Sequence, residues 1–169
     1  MITGFGNSFS FKKKYFNLIA FLFKHALIKN DLLIAQNEDD KALLLKWCRH
    51  KNTKVIKING SGVNLDKFKP DHDQETPYQF ILASRLIKEK GVEEYLEAAD
   101  IIKDKNKDIT FILAGGCDDP NLLEKIQRSH SRGTINYIGH TKNIKSYLSK
   151  TMVVVLPSYY FEGVPRILL

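Results

Sequence analysis

The chain has 169 residues, 43% of them apolar, which is enough for an ordinary α/β core and too much for a disordered segment or a small disulfide scaffold. Its 26 Lys and Arg exceed its 19 Asp and Glu for a net +7, and the excess is lopsided, with 13 basic and 5 acidic side chains in residues 1–70 against 13 and 14 in residues 71–169. A basic half suits a polyanionic neighbour, nucleic acid or an anionic membrane surface, while two cysteines, Cys48 and Cys117, are too few for a recognisable metal cluster and read as reduced thiols of a cytosolic protein.

The stretch from Tyr15 to Lys29 is the most apolar, but Asn17, Lys24 and His25 cut it, and a spanning helix needs roughly 20 mostly apolar residues. No small-residue cleavage site follows it and Lys24 breaks it, so a signal peptide is not expected. It reads as part of a helix from Lys12 to Lys29, either packed or lying at an interface. A short buried strand follows from Leu32 to Gln36, then a helix capped by Asp40 and running through Leu44 and Trp47, then a strand from Lys54 to Ile58. That strand runs into Asn59, Gly60, Ser61 and Gly62, which suits a loop approaching a ligand or simply a tight turn.

Residues Lys69 to Tyr78 are polar, hold two prolines and show no apolar periodicity, so a linker is expected there. From Gln79 the pattern alternates. Strands are expected at QFILAS, TFILAGG, INYIG and MVVVLPS, separated by a helix with Val92, Tyr95, Leu96, Ala99 and Ile102 on one face, a helix around Leu122 to Ser129, and a short helix at NIKSYLSK. Apolar runs this continuous, alternating with helices, predict an α/β fold with a parallel sheet covered on both faces.

Ligands of such sheets bind beyond the carboxyl ends of the strands. After QFILAS come Arg85, Lys88, Lys90 and then Gly91 at a helix start, a corner suited to a diphosphate unless these are solvated surface cations. After TFILA come Gly115 and Gly116, which permit close backbone approach, although neither GxGxxG nor GK[ST] is present. Asp118 and Asp119, ahead of Pro120, read as a turn and helix cap rather than a cation site. After MVVVL comes PSYYFEGVPR, in which Glu162 can accept hydrogen bonds from sugar hydroxyls while the amides of Gly163 and Val164 face a phosphate, unless Glu162 is an ordinary surface glutamate in a turn.

Taken together, NGSGVNLDKFKP, ASRLIKEKGVEEYLEAA, FILAGG, INYIGH and LPSYYFEGVPRILL resemble the family 4 retaining glycosyltransferases of the GT-B architecture. The segments Ile2–Gly6, Gln36–Asp40 and Glu162–Arg166 are similar to the subgroup acting in bacterial surface-polysaccharide and lipid-linked oligosaccharide assembly. The resemblance implies that residues 1–70 are the end of the acceptor-side Rossmann-like domain, 71–78 the linker and 79–169 the first part of the Rossmann-like donor domain, a partial GT-B fold. It implies that Arg85 and Lys90 hold the donor diphosphate, that Gly115, Gly116, Gly163 and Val164 lie against the donor, and that Glu162 is the catalytic residue facing the donor sugar. The expected partners are a nucleotide-diphosphate sugar as donor substrate, a glycan or polyprenyl-diphosphate-linked acceptor, and an anionic membrane surface. No metal, no cofactor and no nucleic acid are expected, and the expected location is cytoplasmic or peripheral at the inner membrane face.

The sequence stops one position before the second glutamate of the family's motif, at Leu169, and the glycine-rich loop of the acceptor domain is not present. The expectation is therefore a fragment, inactive alone, of a hexosyltransferase working with retention. The alternatives are a non-catalytic nucleotide-sugar-binding remnant and a sugar-nucleotide epimerase of the same architecture.

Overall fold

The computed structural model describes residues 13–27, 29–48, 52–68, 78–159 and 164–168. The chain divides into two compact units, Met1–Val63 with Phe161–Leu169, and Asn64–Tyr160. Residues 69–77 of the expected linker and the segment Ile2–Gly6 lie outside the described residues.

In the first unit, helix α1 (Lys13–Leu27), strand β1 (Leu32–Ala35), helix α2 (Glu38–Trp47) and strand β2 (Lys54–Lys57) form a parallel two-stranded sheet with helical cover. Leu33 pairs with Val55 and Ile34 with Ile56. The apolar residues Leu27, Leu33, Ala35, Leu44 and Cys48 are buried together, and Phe23, Trp47 and Val55 pack on them. Helix α1 stops at Leu27 because Asn30 turns back on it, its side-chain amide donating to the carbonyls of Ala26 and Leu27 at 2.9 and 3.2 Å. On α1, Leu18, Phe21 and Leu22 remain exposed.

The start of α2 corrects the sequence reading. The cap is Asn37, whose Oδ1 accepts from the Asp40 amide at 2.7 Å, while its Nδ2 donates to the Asp40 carboxylate at 2.9 Å. Asp40 sits three residues inside the helix, where a carboxylate opposes the positive end of the helix dipole and answers the cap reciprocally. The Glu38 carboxylate reaches Lys57 on β2 and Lys41 on its own helix, and its pKa is lowered chiefly by the hydrogen bond from Lys57.

The second unit is the expected parallel α/β sheet. Strands β3 (Gln79–Ala83), β4 (Thr110–Ala114), β5 (Asn136–Gly139) and β6 (Val153–Val154) stand in the order β5-β4-β3-β6, and every pairing is parallel. Helices α3 (Val92–Lys105), α4 (Pro120–Ser131) and the short α5 (Lys145–Leu148) make the connections. The face predicted for α3 is the buried one: Val92, Tyr95, Leu96 and Ala99 lie in the core with Ile102 against it. Tyr95 reaches across the sheet, its hydroxyl donating to the Ile112 carbonyl at 2.9 Å, and its ring meets Phe111 edge-on while Phe111 stacks on Phe80.

The apolar run at residues 152–158 pairs over only Val153 and Val154, although Met152 and Val155 also donate to the Gln79 and Ile81 carbonyls at 3.0 and 2.8 Å. Pro157 cannot donate to a ladder, so pairing ends before it. Among the described residues, no helix is long and apolar enough to cross a membrane.

Candidate functional site

Three strand-end loops meet at the carboxyl edge of the second unit. The β3 and β4 backbones stay joined past their last ladder residues, with the Ser84 amide on the Ala114 carbonyl at 3.1 Å and the Leu86 amide on the Gly116 carbonyl at 2.8 Å. Between these bonds Gly115, at φ +145°, is so close to Ser84 that a Cβ there would run into the Ser84 carbonyl oxygen and come within 3.2 Å of Leu86. Gly116 differs, since a Cβ on it would meet nothing. On the other side, the Gly115 amide donates to the Gly139 carbonyl at 2.8 Å and the Tyr137 hydroxyl donates to the Gly115 carbonyl at 3.1 Å.

Along the β3 loop, Arg85 is exposed and Leu86 fully buried, so the apolar neighbour anchors the segment while the guanidinium stays at the surface. A single 3-10 turn, Lys88–Lys90, follows, and within it Lys90 is only 9% exposed. Gly91 then adopts φ +69° and opens α3 with no side-chain cap, which leaves the amides of the first turn directed out of the helix as partial positive charge. Pro157, past β6, closes on Gly91: a Cβ on this glycine would overlap the Pro157 carbonyl oxygen and lie 2.8 Å from its ring carbons. The Tyr159 amide donates to the Glu89 carbonyl at 3.2 Å, so the segment after β6 is tied to the turn that carries Lys90.

The charge at this edge is not uniformly positive. Glu93 pairs with Lys125 of α4, and that hydrogen bond is the main reason its pKa is lowered. The Tyr159 phenol is pushed up by desolvation and by the nearby carboxylates of Glu94, Glu89 and Glu93. Burial also raises Tyr137 and Cys117, the latter further opposed by Asp119 and Asp118, so both remain neutral, hydrogen-bonding groups near pH 7. Asp119 caps α4 by accepting from the amides of Asn121 and Leu122 at 2.9 and 3.4 Å, with Pro120 in the first helical position, as the turn-and-cap reading expects.

Of the residues singled out from the sequence, Arg85, Lys90, Gly115 and Gly116 therefore lie on two adjoining loops of one sheet edge. Glu162 and Gly163 lie outside the described residues. Val164 is half-buried ahead of a 3-10 turn, Arg166–Leu168, and is grouped with the first unit. Gly91 was legible as the start of a helix and Pro157 as the end of a strand, but not their mutual contact. Sequence reasoning passed over Tyr137, which acts through a neighbour that only the fold supplies. A cavity of about 300 Å³ lies elsewhere, between α3 and α4, among Glu93, Leu96, Glu97, Lys125, Arg128 and Ser129. Among the described residues no group of three or more His, Cys, Asp or Glu is placed to hold a metal ion.

A parallel α/β sheet with cations and a tightly packed glycine at its carboxyl edge fits the Rossmann-like halves of the GT-B architecture. The chain belongs to the family Glycosyl transferases group 1, whose pattern matches residues 64–169. It is 30% identical over 128 residues to the N,N'-diacetylbacillosaminyl-diphospho-undecaprenol alpha-1,3-N-acetylgalactosaminyltransferase of Campylobacter jejuni, a match covering 68% of this chain and 33% of that protein. It is 35% identical over 85 residues to the alpha-D-kanosaminyltransferase of Streptomyces kanamyceticus, covering 48% of this chain and 22% of that one. The chain thus spans about a third or less of these relatives. In fold it is similar to the pneumococcal O-GlcNAc transferase GtfA, solved with UDP and GlcNAc, at 21% identity and a TM-score of 0.69, covering 96% of this chain and 33% of GtfA. A second likeness is to S. aureus TarM, at 18% identity and a TM-score of 0.68, covering 86% and 29%.

Proposed function

We propose that the chain contributes the donor-binding part of a glycosyltransferase that moves a hexose-type sugar, with retention, from a nucleotide-diphosphate sugar to a glycan or polyprenyl-diphosphate-linked acceptor in surface-polysaccharide assembly. In this reading residues 1–70 close the acceptor-side domain, 71–78 link the domains and 79–169 belong to the donor domain. The observation that carries it is the convergence of the β3, β4 and β6 loops, with Arg85, Lys90 and the Gly115–Gly116 pair, on one sheet edge of a chain in this family. The undecaprenol-linked substrate in the name of the Campylobacter relative supports the lipid-linked acceptor.

Chemically, the difficult step is departure of the nucleoside diphosphate. Fixed positive charge stabilises the leaving oxygens as they gain charge, so Arg85, Lys90 and the first amides of α3 act electrostatically and no protein nucleophile or cofactor is required. The same reading assigns the donor sugar to Glu162 as the catalytic residue, together with Gly163 and Val164. Calorimetric titration with UDP, GDP and dTDP tests the donor reading. Arg85→Ala, at an exposed side chain, and Lys90→Met, which keeps the stem of a buried one, are each expected to weaken binding by about tenfold or more, one charge-assisted contact being worth about 1.5–3 kcal/mol. Unchanged affinity in both variants returns these cations to ordinary surface chemistry.

The membrane part of the reading rests on α1. Leu18, Phe21 and Leu22 are exposed there, Lys24 and His25 occupy the last turn, and residues 1–70 carry the basic excess. Such a face suits the headgroup region of an anionic bilayer, each basic residue near the surface adding about 1 kcal/mol. The chain is expected to sediment with anionic vesicles and to be released by salt. Equal sedimentation with neutral vesicles, insensitive to salt, rules out the electrostatic attachment.

A further inference from the structure

The β4–β5 pairing contains an irregularity just where the candidate site begins. Leu113 faces Tyr137, yet Ala114 faces Gly139, so one step along β4 is matched by two along β5. The slip draws the end of β5 forward and lets two of its groups grip the same residue: the Gly139 carbonyl takes the Gly115 amide, and the Tyr137 hydroxyl takes the Gly115 carbonyl.

The second bond fixes more than one atom. The Gly115 carbonyl and the Gly116 N–H belong to a single planar trans peptide unit and point in opposite directions, so pinning one directs the other. With glycine on both sides, that unit has little intrinsic resistance to rotation. A Cβ on Gly116, beyond it, would meet nothing, and the Gly116 carbonyl is already held by the Leu86 amide. The geometry points to Tyr137 as a positioning residue, whose hydroxyl orients the Gly115–Gly116 peptide so that the Gly116 N–H is presented to a phosphate of the bound donor. This inference rests on the donor reading above and assigns its β4 loop a support on the neighbouring strand. The phenol is half-buried and stays protonated near neutral pH, as a donor must.

Tyr137→Phe removes only the hydroxyl and keeps the ring. Tyr95→Phe is the control, because Tyr95 also donates to a backbone carbonyl of β4, that of Ile112, but within the strand, three residues before Gly115. Amide exchange measured by NMR on the whole chain is expected to rise about two- to tenfold at Gly115 and Gly116 relative to Ile112 and Leu113 in Tyr137→Phe, the range set by loss of one neutral hydrogen bond, and not in Tyr95→Phe. Affinity for whichever of UDP, GDP and dTDP the wild type binds most tightly should fall by a similar factor in Tyr137→Phe alone. An unchanged exchange ratio, or the same change in Tyr95→Phe, overturns the positioning role. A wild type that binds none of the three nucleotides defeats the donor reading instead, while the exchange comparison still decides whether Tyr137 orients the loop.

Discussion

A methyl group at position 115 has nowhere to go, because the Ser84 carbonyl occupies its place and the backbone there has a positive φ. Gly115→Ala is expected to lower stability by about 2–3 kcal/mol, combining overpacking with backbone strain. Gly116→Ala, one residue on, should change it by less than about 0.5 kcal/mol, since the new methyl meets nothing. Urea unfolding of the two variants reads the contrast directly, and equal losses would mean that the close approach of the two loops is wrong. The Gly-Gly pair after TFILA was legible as a place of close approach. Which glycine is confined was not, because confinement comes from Ser84, just past the adjacent strand, and therefore from register. Arg85 and Leu86 repeat the point: their neighbourhood was readable as a cationic loop, but only the sheet decides that one is exposed and the other enters the core.

Elements were legible where periodicity is strong and less so where a cap or an edge decides. The buried face of α3 follows directly from apolar spacing, whereas the cap of α2 required choosing between Asn37 and Asp40, two residues that both suit a helix start. At the second unit's fourth strand, the expected run of residues 152–158 shrinks to a two-residue ladder, since Pro157 cannot donate to it and is packed on Gly91. Helices α3 and α4 are tied at their surface by Glu93 and Lys125. The Glu93 pKa is depressed below its ordinary 4.5, so the pair's stabilisation is present above that value and is lost as pH falls through the folded-state pKa. The side chains are 35% and 57% exposed, so the contribution is at most about 1 kcal/mol. Urea midpoints taken from about pH 6 down to about pH 3 should fall less steeply in Lys125→Met than in the wild type. Parallel declines would show that the pair adds nothing.

At the scale of the whole molecule, the chain has two cores of unequal size. Among the described residues, one gathers eleven buried residues around a four-stranded sheet with helices packed on it; the other gathers five around a two-stranded one. Two strands with little apolar cover are marginal in water, whereas the larger core can support cooperative folding. The sequence already carried part of this division, in the change from a basic first half to a balanced second half and in the regular strand-helix alternation that begins at Gln79. The relative strength of the two cores was not readable, because it depends on which apolar faces find partners, and Leu18, Phe21 and Leu22 of α1 do not enter the smaller one. The chain's single tryptophan, Trp47, packs against that smaller core, edge-on to Phe23 at 6.1 Å, and so reports on it alone. Far-ultraviolet circular dichroism instead samples both units, α1 and α2 of the smaller together with α3, α4 and the four-stranded sheet of the larger. The two probes are therefore expected to diverge during denaturant unfolding, with the fluorescence change centred at a lower urea concentration than the loss of secondary structure. Coincident transitions from both probes would mean that the two units unfold as one, and that the smaller core draws its stability from the larger.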